Sequence, residues 1–460
     1  MTAPRGRSKP LHCPMQTETP HRRSALLLWL PSLIVLSALG PYIGTSGLKC
    51  EHLVIYPVAG VYCCSLFPFR RRSLWGDFSP IMRLWVCLAA APLLGLLWSS
   101  LALVRVPPET PQVLAAIEHL VQPMVVVALM CLIQRKLSIG EMSTALRRAL
   151  NLLIWALCLN ALAILWVLRT GNVDVFSRWL PPGGNEVDSV WILSMEMGRY
   201  GGIFNQPFES GVCYSLALLA WCRIQLDHER PPFWEYGRLM LLLFGGVISI
   251  SKVFILGGVP LFLLLSLTSK DYRKIMLNLR SGAVLAGLVL IISWQNLSDL
   301  WDGLSYFLRL FTPERGANLV ALYTANRFGQ EGTQVTSYYS EVWNSSPLFG
   351  FGFAPYAVLD NGLLWAFASG GIIGAGFFAG MIYKALSWAR DLARKDSEQM
   401  FPLMMLVLMV AAALGAPSFT IDRGSTVFWT LYPLSTLTGL SRRRNTETIL
   451  TPAILGGREA

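Results

Sequence analysis

The sequence predicts an all-α, polytopic membrane protein, and three observations carry the prediction. Apolar runs of about 20 residues, the length a helix needs to cross a bilayer, recur from end to end of the chain. Only 14% of the 460 residues are charged and 53% are hydrophobic, whereas a soluble domain averages about 25% charged. Inside each run the backbone has no water to bond, so it must satisfy its own hydrogen bonds as helix.

The predicted spans are 25–45, 52–69, 84–104, 113–134, 149–168, 210–226, 237–250, 253–268, 282–296, 361–386, 400–420 and 426–440, about twelve in all. Residues 1–24 are polar and rich in Pro, Arg and Thr, and they read as a disordered cytoplasmic tail. They lack the small-residue cleavage site of a signal peptide, so the first span is expected to stay as an anchor. The membrane domain is expected over 25–440, followed by a second cytoplasmic tail over 441–460.

Charge sets the expected orientation. With the N-terminus in the cytoplasm, most of the 38 Lys and Arg fall on the inner side. Arg70–Arg72, Arg135, Lys136, Arg147, Arg148, Lys384, Arg390 and Arg442–Arg444 are among them. This is the positive-inside pattern, and it places both termini inside. The net charge of +11 does not imply nucleic acid, because the basic residues form short clusters between spans rather than a basic domain. They read as topology signals and as contacts for the anionic heads of membrane lipids. The nine cysteines show no metal-ligand spacing.

Two outer segments are long, 169–209 and 297–360, and long loops are usually functional. The second carries Leu300, Leu304, Phe307, Leu308 and Phe311 at helical spacing, which predicts a short helix lying on or against the membrane domain. The first ends in Gly198 and Arg199, then Gly201-Gly202, just before the sixth span. Arg199 is a permanent cation whose planar fork matches phosphate oxygens, and the glycines let a ligand approach the backbone. Glu209 follows at the start of the span. Ser249–Lys252 forms a hairpin between two apolar runs, where Lys252 offers a second outer cation. The second loop supplies Arg327, Glu341 and Tyr338, which suit a sugar substrate. Asp360 and Asn361 stand directly before the tenth span. Asp360 is a candidate polar site residue or a plain helix cap. Within that span Gly370, Gly374, Gly376 and Gly380 predict close helix packing. Glu118-His119 in the fourth span is an intramembrane ionisable pair.

These motifs resemble a known superfamily. Arg-Tyr-Gly-Gly-Ile-Phe-Asn-Gln-Pro, from Arg199 to Pro207, is similar to the R-x-x-G-x-F-x-x-P signature of the bacterial O-antigen polymerases and O-antigen ligases. Ser346 to Phe353, Asp360 to Leu364 and Gly370 to Gly374 resemble a second signature. Ser251-Lys252 stands where the family often has Ser-Arg. The resemblance covers roughly residues 190–440. It implies a GT-C-like membrane glycosyltransferase, without metal or cofactor, working at the periplasmic face of the inner membrane. Its substrate would be an undecaprenyl-diphosphate-linked glycan, and a chain-length regulator and a flippase would be partners. On this resemblance Arg199, Lys252 and Asp360 are the catalytic residues. Arg327, Glu341, Asn361, Glu209 and Tyr338 are the substrate-binding ones. Asp360 stands where ligases tend to have histidine, which favours a polymerase. The alternatives are an O-antigen ligase and, from another class, a transporter or flippase of lipid-linked glycan. Transporters place binding groups at mid-membrane between repeated halves, and this chain shows no internal repeat.

Overall fold

The computed structural model describes residues 23–44, 48–66, 74–101, 110–180, 189–225, 232–268, 334–353, 361–420 and 422–455. It is helical over most of this length. The helices are α1 (Arg23–Ala38), α2 (Cys50–Leu66), α3 (Ser79–Leu101), α4 (Thr110–Lys136), α5 (Ile139–Thr170), α6 (Val190–Glu196), α7 (Pro207–Gln225), α8 (Phe233–Ile248), α9 (Val259–Thr268), α10 (Gln334–Ser345), α11 (Gly362–Lys395), α12 (Met400–Ala413) and α13 (Asp422–Leu455). A two-residue ribbon, Tyr42–Ile43 with Leu48–Lys49, joins α1 to α2.

A helix overlies each predicted span except 282–296, which lies outside the described residues together with the surface helix expected over 300–311. Gly76–Trp98, Ala116–Lys136, Ile139–Thr170 and Gly362–Lys395 are long and apolar enough to cross a membrane. This agrees with an all-α membrane protein. The last helix continues beyond residue 440, where the sequence reading ended the membrane domain.

α7 sits at the centre. Nearly all of its side chains are buried, Trp221 and Tyr214 completely, and α5, α8, α9, α12 and α13 pack around it. Small residues make this closeness possible. A Cβ on Gly211 would lie 2.0 Å from Ser251 Oγ, and one on Gly258 would lie 2.1 Å from Ser215 Oγ. Helices in lipid approach through such small residues because lipid tails compete with larger apolar contacts.

The glycine-rich segment before α11 has a structural use that its sequence did not reveal. α11 is broken at Gly371, whose φ of 62° and ψ of −156° are non-helical. The break strands backbone groups inside the protein, and Pro347 to Gly352 satisfy them. Phe351 N donates to Ala368 O (2.8 Å), Gly352 N to Ser369 O (3.0 Å) and Ile372 N to Pro347 O (2.8 Å). Irregular backbone within a membrane protein is tolerated where protein buries it in this way. A Cβ on Gly371 would stand 2.3 Å from the Leu348 carbonyl carbon, so no other residue fits. Of the predicted packing glycines, Gly370 and Gly374 are in close contact, with Ala91 and with the Ala366 carbonyl respectively. Gly376 and Gly380 have nothing within 4 Å on the Cβ side.

Candidate functional site

One end of the bundle brings together Arg199, Glu209 and the hairpin that carries Lys252. Its frame is the loop from Arg199 to Asn205, which enters α7. Side chains from three directions of the fold hold the backbone of the Gly201–Ile203 turn. Asn160, from α5, donates Nδ2 to Gly201 O (3.3 Å), and its Oδ1 accepts from Ile203 N (3.0 Å). Trp191 of α6 donates Nε1 to Gly202 O (3.2 Å). Arg423, at the start of α13, donates Nη1 to Ile203 O (2.6 Å). Gly202 has a φ of 69°, and a Cβ there would lie 2.1 Å from Asn160 Oδ1. The turn is therefore fixed before any ligand arrives, which is what a charge-stabilising site requires.

The fixed turn carries Arg199 to the hairpin after α8. Arg199 Nη2 donates to Ile250 O (3.4 Å), and Tyr200 N donates to Ile248 O (3.1 Å). The hairpin is under strain. Ile250 has a φ of 45°, which for a β-branched residue is a true outlier and costs about 1–3 kcal/mol. Lys252 then leads into a turn of π-helix, Val253–Gly258. Strained backbone and π-turns both concentrate at functional sites. Ser251 is buried against Gly211 of α7. The structure thus brings the Arg199 loop and the Ser249–Lys252 hairpin together, although 51 positions separate Arg199 from Ile250.

The other predicted residues divide into three groups. Asp360 and Arg327 lie outside the described residues. Tyr338 and the half-buried Glu341 belong to α10, which rests on α11 through stacking of Tyr339 on Phe367 (centroids 5.3 Å apart). Glu209 and Asn361 are buried and engaged by the protein itself. Glu209 Oε1 accepts from the backbone N of Arg423 (3.0 Å) and lies 3.8 Å from its Nε. Asn361 is the N-cap of α11. Its Oδ1 accepts from Leu363 N (2.8 Å) and Leu364 N (2.9 Å), while Nδ2 donates to Leu414 O (3.1 Å). The cap that the sequence reading offered to Asp360 therefore belongs to Asn361.

Arg423 and Asn160 were missed. Arg423 also donates Nη2 to Trp179 O (2.8 Å) and sits over the Tyr42 ring. One guanidinium thus ties together α13, α7, the Arg199 loop, the segment after α5 and the α1–α2 ribbon. The available signal was the general one: a charge beside an apolar span and an amide inside one both need partners. Glu118, by contrast, was noted. It accepts from Tyr56 Oη (3.1 Å), pairs with His52 Nε2 (3.2 Å) and lies 3.6 Å from His119 Nδ1.

Among the described residues no group of His, Cys, Asp and Glu is arranged to hold a metal ion. No protein-family model matches the chain, and no curated protein matches it in sequence.

Proposed function

We propose that the chain is a membrane glycosyltransferase that joins oligosaccharide repeat units carried on undecaprenyl diphosphate. The observation that supports this best is the locked Arg199 turn resting on the strained hairpin that bears Lys252. Two cationic positions on a preorganised frame suit a leaving group that gains negative charge as it departs. The resemblance of Arg199–Pro207 and Ser346–Gly374 to O-antigen polymerases points the same way, and the outward-facing glycan-binding role falls to Arg327, Glu341 and Tyr338.

In the proposed reaction a hydroxyl of the acceptor sugar attacks the anomeric carbon of the donor. Its proton passes to the Asp360 carboxylate as the new C–O bond forms. The bond between the anomeric carbon and the diphosphate oxygen breaks, and that oxygen keeps the electron pair. Arg199 and Lys252 stabilise the resulting charge. A single displacement inverts the anomeric centre.

Purified protein in lipid, given diphosphate-linked repeats, should yield longer lipid-linked chains. Transfer to lipid A core would identify a ligase instead, and movement of intact substrate without a new glycosidic bond would identify a transporter. Arg199→Ala should lower the rate about 10²–10³-fold, the usual cost of losing one transition-state donor, at unchanged expression and melting temperature. Normal polymer length from that variant would refute the assignment.

A further inference from the structure

The end of the bundle opposite Arg199 carries a cavity that the proposed chemistry does not use. It has a volume of about 80 Å³ and lies where α5, α7, the Ser397–Gln399 turn and α13 meet. Ten to 15 Å³ already holds one water, so the cavity has room for a tetrahedral oxyanion. Arg147, Arg223 and Arg442 line it from three different helices, and Glu398 is the carboxylate among its described lining groups. Arg442 donates Nη2 to Ser143 Oγ (2.7 Å) and Nη1 to Glu398, and Arg223 Nη2 lies 3.4 Å from the same carboxylate.

The cavity is two-natured. Ser143, Leu146, Arg147 and Leu150 recur on one face of α5. Leu146 and Leu150 therefore alternate with polar groups along the lining, and Ser435 and Thr438 of α13 add hydroxyls. Arg423 and Arg442 lie on one helix, and 19 residues at about 1.5 Å per residue put the cavity roughly 28 Å from the Arg199 end. That separation matches the hydrocarbon thickness of about 30 Å, so the cavity sits at headgroup depth. A wider depression continues from it through Glu398 and Arg442 to Lys395, Asp396 and Arg443, three cations and two carboxylates.

We propose that this cavity binds the phosphate of an anionic phospholipid headgroup. Arg147, Arg223 and Arg442 would grip the phosphate oxygens, the first glycerol carbons would lie along Leu146 and Leu150, and the rest of the headgroup would fill the wider depression.

The test uses the full-length protein in detergent, supplemented in parallel with phosphatidylglycerol, phosphatidylcholine or inorganic phosphate. Melting temperature and the lipid retained in native mass spectra are the readouts. Phosphatidylglycerol should raise the melting temperature and remain bound, and phosphatidylcholine should do neither. Arg147→Gln should lose most of that shift, and Arg147→Lys should keep most of it. Equal shifts from the two lipids, or a full shift in a folded Arg147→Gln, would overturn the proposal. So would a full shift from millimolar phosphate to which phosphatidylglycerol adds nothing, since the occupant would then be soluble. Should Arg147→Gln fail to fold, the wild-type spectra decide alone: retention of phosphatidylglycerol over phosphatidylcholine supports the site, and no preference overturns it.

Discussion

Arginine is used in opposite ways at the start of α13 and past its middle. At one end Arg423 is buried, 4% exposed, and its guanidinium donates to two backbone carbonyls and pairs with Glu209. Further along, the half-buried Arg442 and the exposed Arg444 meet side-chain carboxylates, Glu398 and Asp77. A bond to a carbonyl fixes the path of the chain. A bond between two exposed side chains fixes little, because both ends swing and salt screens them. The contrast teaches that the Arg199 end is built for shape, and that the far end is built for charge.

Four substitutions test this contrast, ordered by size. Arg423→Met should cost about 3–5 kcal/mol, because Glu209 is left as a lone buried charge. Thermal melting in detergent measures it, and adding Glu209→Leu should recover most of the loss. If the double variant is no better than the single one, the carbonyl bonds rather than the ion pair hold the clamp. Asn160→Leu should cost about 1–3 kcal/mol, the penalty of stranding Ile203 N and Gly201 O. It should also lower the proposed glycan-forming activity without touching Arg199, whereas unchanged activity would show that the turn needs no anchor. Asn361→Ala should cost about 1 kcal/mol as a lost cap, seen as faster hydrogen exchange in the first turn of α11. Arg444→Ala should stay within about 0.5 kcal/mol. A loss comparable to that of Arg423→Met would erase the distinction between the ends.

The fold was largely legible because apolar length reports a helix whatever its neighbours are. The site was legible only where a motif is local. Arg199 stood out because glycines flank it just before a span, and Lys252 because it interrupts two apolar runs. Arg423 reads in sequence as a charge just ahead of the last span, and its partners Glu209, Ile203 and Trp179 lie more than 200 residues away. No local pattern encodes that. Glu209 was read as a substrate contact for the same reason: a carboxylate at a helix start looks alike whether it faces a ligand or a distant arginine. The Ser346–Phe353 glycines were noticed, but as part of a family signature. That they fill a break at Gly371 depends on a conformation of Gly371 that an apolar sequence hides.

That filled break has a mechanical consequence. The two halves of α11 are coupled through peptide groups of a neighbouring strip as well as through the apolar cluster around Phe351. Changing the identity of Leu348 or Phe349 leaves those bonds in place. Inserting a single residue between Pro347 and Gly352 would shift the strip out of step with both halves at once, so this short stretch constrains chain length far more tightly than composition.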